Sequence, residues 1–181
     1  MKLIRQIKQS LYQFFLRKKL SKVLLPRKTI NLNKARKIGI LFNATDPGNY
    51  VVVDKYAKKL KAQDKKVDLY GYFNFANVQG DLSYPYFSKK DFNFYSHPRN
   101  DSIEYFLNQD YDILINAYVE DNLPLEYIST FSKSKFRIGL YRKNNIHYSD
   151  VMIKQGKEQP ELEEMLNEFD RYLKMIENNE N

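Results

Sequence analysis

Lys37-Ile38-Gly39-Ile40-Leu41-Phe42-Asn43-Ala44 and Tyr111-Asp112-Ile113-Leu114-Ile115-Asn116-Ala117 are the two stretches that decide the architecture. Each carries a short unbroken apolar run instead of an apolar–polar alternation, which is the pattern of a strand covered on both faces. Thr45-Asp46-Pro47-Gly48 is a turn after the first run. The spacing of Tyr50, Val53, Tyr56, Ala57 and Leu60 then predicts a helix to about Lys61, and Val67–Phe73 reads as a second strand. Strands that alternate with helices build βαβ units and a parallel sheet.

Working outward, residues 74–100 mix Phe75, Tyr84, Tyr86, Phe87, Phe92, Phe94 and Tyr95 with turn formers, and a short third strand is expected near Phe92–Tyr95. Asp101 or Ser102 would cap a helix through Asn108. Pro124 suits the first turn of a helix through Phe131. Phe136–Tyr141 and an edge strand at Val151–Ile153 follow, and residues 160–177 form an amphipathic helix on Leu162, Met165, Leu166, Phe169, Leu173 and Ile176. Residues 2–24 read as a basic amphipathic helix ended by Pro26, and 26–36 as a linker. The expected fold is a Rossmann-like or flavodoxin-like three-layer α/β domain with a mostly parallel sheet of about five strands. Residues 1–30 form a basic arm, and 31–181 one domain that ends in the acidic helix.

Length and charge bound the function. A chain of 181 residues suffices for one sizeable core. There is no Cys, which removes disulfides and thiolate chemistry and makes a reducing compartment the simpler reading. With only His97 and His147 besides, no metal site and no cofactor are expected. The net charge of +8 is steeply distributed: +12 over residues 1–37, +2 over 38–157 and −6 over 158–181. The arm is thus an electrostatic handle for phosphate, or else it docks on the chain's own acidic tail. Polar residues interrupt Leu3–Leu11, so no signal-peptide core is read there, and no window reaches the roughly 18 apolar residues of a spanning helix.

In an open parallel sheet, ligands lie beyond the carboxyl ends of the strands where strand order reverses. If the first strand neighbours the Tyr111 strand, that crevice receives Asn43, Thr45, Asp46, Asn116, Glu120 and Asp121. The same residue types serve equally as turn and cap residues. Asn43-Ala44-Thr45-Asp46-Pro47-Gly48-Asn49 lacks a Gly-x-Gly-x-x-Gly pattern, and its acid and proline make a poor anion cradle. The Glu120–Asp121 pair could do acid–base work or simply be solvated. The aromatic stretch, with Lys89, Lys90 and Arg99, offers a platform for stacking bases, against the simpler reading of core packing.

The order of these segments resembles an uncharacterised family of small basic α/β proteins from Bacteroidetes, of unknown function. The resemblance rests on Arg17-Lys18-Lys19-Leu20, Lys37–Thr45, Tyr56-Ala57-Lys58-Lys59-Leu60, Tyr111–Ile115, Asp121–Ile128 and Ser134–Gly139. It covers nearly the whole chain and implies no activity. A partial likeness to the acceptor half of heptosyltransferase-type glycosyltransferases, at Tyr111–Asn116 and Phe136–Gly139, implies the fold but not the transfer, because the nucleotide-binding half has no counterpart.

The function expected from these features is a non-enzymatic binding module in the cytoplasm. Residues 2–28 attach it to a polyanion such as RNA or the ribosome through Arg5, Lys8, Arg17, Lys18, Lys19 and Lys22. Two alternatives stand beside it. One is an anionic membrane surface, the inner membrane face, met by Ile7, Phe14 and Phe15 of the same helix. The other is an enzyme or small-ligand binder using the crevice.

Overall fold

In the computed structural model, Ile38–Phe42 are all buried, and the continuous apolar run becomes β1 (Lys37–Asn43) at the centre of the sheet. The structure describes Ser10 and residues 26–93, 101–142, 147–154, 156 and 160–176. Apart from Ser10, the expected helix over 2–24 lies outside them, and with it Arg5, Ile7, Lys8, Phe14, Phe15, Arg17, Lys18, Lys19 and Lys22.

After β1 come α1 (Pro47–Lys61), β2 (Lys66–Phe73), β3 (Tyr86–Ser88), α2 (Asp101–Leu107) and β4 (Ile113–Ala117). The chain continues through α3 (Leu123–Phe131), β5 (Phe136–Leu140), β6 (Val151–Ile153) and α4 (Leu162–Met175). The helices start where local chemistry allows. Asp46 caps α1 by accepting from the Gly48 N–H at 2.9 Å, Asn122 caps α3 from the Leu125 N–H at 3.2 Å, and each helix has a proline in its first turn.

All strand pairs are parallel, in the order β3-β2-β1-β4-β5-β6. Among the described residues the sheet therefore has six strands where about five were expected. Its order runs 3-2-1-4-5-6, not the 2-1-3-4-5 of flavodoxin-like sheets. β3 is Tyr86–Ser88, ahead of the strand expected near Phe92–Tyr95: Gly71 N–H donates to Pro85 O at 3.1 Å and draws the chain alongside β2 early. Phe94 and Tyr95 lie outside the described residues.

Helices cover both faces. Val53, Ala57 and Leu60 of α1, with Leu162, Met165, Leu166, Phe169 and Leu173 of α4, bury Ile38, Ile40, Phe42, Ile113 and Ile115. Ile103 and Phe106 of α2, with Leu125 and Ile128 of α3, bury Leu41 and Leu114 on the other face. Among the described residues no helix is long and apolar enough to cross a membrane.

Residues 27–36, expected as a linker, are bound along the sheet's N-terminal edge. Lys28 N–H donates to Lys135 O and Leu32 N–H to Leu173 O, each at 2.9 Å, and Leu32 is fully buried. The Asn31 amide donates to the last carbonyls of α4, Lys174 O at 2.9 Å and Ile176 O at 2.8 Å. The Arg27 guanidinium donates to Ser132 O at 2.9 Å, Thr130 O at 3.3 Å and Ser134 O, at the C-terminus of α3, where the helix dipole favours a cation. Burial first, and Arg137 second, push its pKa down to about 10, against the opposing pull of Asp150.

A Cβ at Gly139 would lie 2.5 Å from Ser149 Oγ and 2.7 Å from Tyr148 Cε2, so β5 meets the 148–149 segment only because no side chain stands between them. Gly139→Ala is expected to destabilise the fold by about 1–3 kcal/mol in urea denaturation, the usual size of an overpacking defect. An unchanged midpoint would show that segment 148–149 moves aside freely.

Candidate functional site

The strand order reverses between β1 and β4, and a cavity of about 320 Å³ opens at their carboxyl ends. Asn43, Thr45, Asp46 and Asn49 line it from the β1–α1 side, and Tyr118 and Glu120 from the β4–α3 loop. The β1–α1 wall is held by its own side chains. Asn43 Oδ1 accepts from Thr45 N–H at 3.1 Å, the Asn49 amide donates to Asn43 O at 2.9 Å, and Thr45 Oγ1 accepts from Asn74 N–H at 3.0 Å.

Of the six crevice residues expected from sequence, Asn43, Thr45, Asp46 and Glu120 meet around this cavity. Asn116 does not. Ile115 and Ala117 face α1 and α4, so strand alternation turns Asn116 to the other face. There its amide donates to Ile138 O, Tyr148 O and Ser149 Oγ at 3.0–3.3 Å. Asp121 turns outward to Arg142, whose Nε lies 3.3 Å away.

Sequence reasoning gave Arg142 no role. Its side chain is nearly buried; it donates to Tyr118 O at 3.0 Å, pairs with Glu126 Oε1 at 3.5 Å and lies against the Tyr118 and Tyr148 rings. These interactions converge from β4, α3 and the 148 segment, and no local pattern announces them. Arg142 thereby sets the loop that presents Glu120 to the cavity. Among the described residues the cavity wall carries two carboxylates, Asp46 and Glu120, and no cation, a lining that disfavours anions. Among the described residues no group of His, Asp and Glu could hold a metal ion. His97 lies outside the described residues, and His147 accepts through its carbonyl from Arg137 at 3.1 Å.

The opposite end of the sheet is basic. Lys28, Lys34, Arg36, Lys61, Lys66, Lys133 and Lys135 are exposed along it, around the point where Arg27 fastens the arm. Lys135 pairs with Asp112 at 2.7 Å and Lys37 with Asp110 at 3.3 Å. The side chains of Lys28, Arg36, Lys61, Lys66 and Lys133 have no carboxylate partner among the described residues. The near-neutral charge of residues 38–157 thus conceals a segregation, and the basic surface belongs to the fold as well as to the arm. The aromatic stretch divides: Phe87 and Phe92 are core, whereas Phe75 and Tyr86 are exposed.

Residues 8–176 match the family described as a family of unknown function, DUF6913. The chain belongs to the DUF6913 family. No curated protein and no solved structure matches it. The DUF6913 match bears on neither a taxonomic group nor heptosyltransferase-type enzymes.

Asp112 organises the basic end of this DUF6913 chain. Burial opposes its charge, but Lys135 and the N–H groups of Arg36 (2.8 Å) and Lys37 (3.0 Å) outweigh that and hold its carboxyl below the usual range. A depressed carboxyl contributes stability above its unfolded pKa and loses it as pH falls through the folded value. The stability difference between wild type and Asp112→Asn should therefore be full near pH 6 and shrink below about pH 4. A difference independent of pH in urea titrations would remove this role.

Proposed function

We propose that the protein is a non-enzymatic cytoplasmic module with a Rossmann-like fold that binds RNA, free or in the ribosome. Binding runs through residues 2–28 and through the sheet's N-terminal edge. One observation carries this reading: five exposed cationic side chains without carboxylate partners among the described residues border the site where the arm is rooted. Such cations are solvated and free to displace the counterions condensed on a phosphate backbone. Arg27 is anchored at this same edge, which supports one polyanion as the ligand of both. The cavity at the other end, bordered by Asp46 and Glu120, disfavours the same ligand and supports a separate small-ligand reading for that crevice.

The test is titration of labelled RNA with full-length protein over a range of KCl concentrations. Affinity should fall steeply with salt. Lys61→Glu with Lys66→Glu and Lys133→Glu should weaken binding at least about tenfold at low salt and flatten the slope by roughly 0.7 for each phosphate that the variant no longer neutralises. Affinity and slope unchanged by these reversals would remove the edge from the interface. Binding to anionic vesicles instead, abolished by Ile7→Asp or Phe14→Asp, would favour the membrane alternative.

A further inference from the structure

β2 extends over Lys66–Phe73, but β3 pairs only with Gly71–Phe73. Among the described residues no strand flanks Lys66–Tyr70 on the outer side. In a parallel ladder, alternate residues bond to alternate neighbours. Lys66 N–H donates to Arg36 O, and Ala44 N–H to Tyr72 O, so the even-numbered residues of β2 face inward to β1. Gly71 N–H donates outward to Pro85 O. By this alternation Val67 and Leu69 turn their N–H and C=O groups outward, where no neighbouring strand takes them.

This open edge is the floor of a groove of about 290 Å³. Tyr50 and Tyr84, stacked with centroids 4.5 Å apart, form one wall, and Tyr50 is fixed by a 2.9 Å hydrogen bond with Ser83. Tyr105 on α2, 65% exposed, stands in the other wall, its carbonyl held by the Gln109 amide at 3.2 Å. Lys61 lies at the lower end, Lys66 adjoins Val67, and Gln109 also accepts from Lys37 Nζ at 2.9 Å, so the groove is continuous with the basic edge. The groove itself contains Asp54, paired with Lys58 at 2.6 Å, and Asp68, which accepts from the Tyr111 hydroxyl at 3.1 Å.

Resting on the RNA reading above, we infer that this groove takes an unpaired nucleobase, so that the preferred ligand is single-stranded RNA. The chemistry divides along the groove. An exposed tyrosine ring offers a stacking face that every base can use. The outward N–H and C=O groups of Val67 and Leu69 match the mixed donor and acceptor edge of a base. Asp54 and Asp68 keep phosphate out of the groove, and Lys61 and Lys66 receive it at the rim. A duplex has its base edges paired and its faces stacked, so it satisfies only the rim.

The experiment compares full-length protein bound to labelled oligouridine and to an RNA duplex of equal length at one salt concentration, with amide hydrogen exchange at Val67 and Leu69. Oligouridine should bind more tightly than duplex and should protect both amides. Tyr105→Ala should weaken oligouridine by about 5- to 100-fold with the salt slope unchanged, and Tyr105→Phe should restore it. Equal affinity for both RNAs, with Tyr105→Ala silent, overturns the base site while leaving the polyanion reading intact. Absence of RNA binding to wild type defeats the polyanion reading, and the base site with it. Amides protected by an alternating valine–threonine peptide but not by oligouridine would make the edge a strand-addition site and also overturn the inference.

Discussion

A guanidinium taken out of water must bring its N–H donors to acceptors or forfeit the burial, and Arg137, near the start of β5, engages acceptors with all three of its nitrogens. Asp150 receives Nε at 3.1 Å and a terminal nitrogen at 2.7 Å, and Ser129, Thr130 and His147 offer carbonyls at 3.0–3.2 Å. Those acceptors come from the entry to β6, the end of α3 and the segment after β5. One side chain thus fixes the β5–β6 margin of the sheet and the helix beside it. Arg27 joins the same cluster, with Nε 3.9 Å from Asp150, and so extends it to the N-terminal segment.

An all-parallel sheet gives its two ends different chemistry. Every strand starts at one end and every helix returns to it, so the turns there collect helix C-termini, where Lys58, Lys59 and Lys61 of α1 complement the dipole. The other end collects helix N-termini, capped by Asp46 and Asn122. Helix ends account for only part of the basic edge, since Lys28, Arg36, Lys66, Lys133 and Lys135 lie outside the helices. The two candidate surfaces are separated by the length of the central strands and differ in the sign of the charge they present.

What could be read in the sequence follows the range of the interactions concerned. β1, β4, α1 and α4 were legible because an apolar run or a helical stripe is a local signal. β3 was not, because three residues acquire strand character only through pairing with Gly71–Phe73. Asn43, Thr45, Asp46 and Glu120 were legible as a crevice because topology alone brings strand ends together. Asn116 fails as a crevice residue because strand alternation turns it to the opposite face. Arg142 and Arg27 bind partners 24 and about a hundred residues away in sequence, chiefly backbone carbonyls, which leave no trace in composition. The segregation of lysines was hidden for the same reason, since Lys28, Lys61, Lys66 and Lys133 come to one end of the molecule only once the sheet has formed.

The placement of Arg27 also bears on how the chain can be divided. An arm that behaves as a cassette can be dropped, acquired or exchanged without disturbing the domain that carries it. Here the last residues of the arm supply a counter-charge to Asp150 and close the end of α3. Removal of residues 1–30 would leave Asp150 and Thr130 O with Arg137 and strip the Arg27 donor from the carbonyls of Ser132 and Ser134. The anchored part of the chain therefore begins no later than Arg27, inside the 1–30 span expected as the arm.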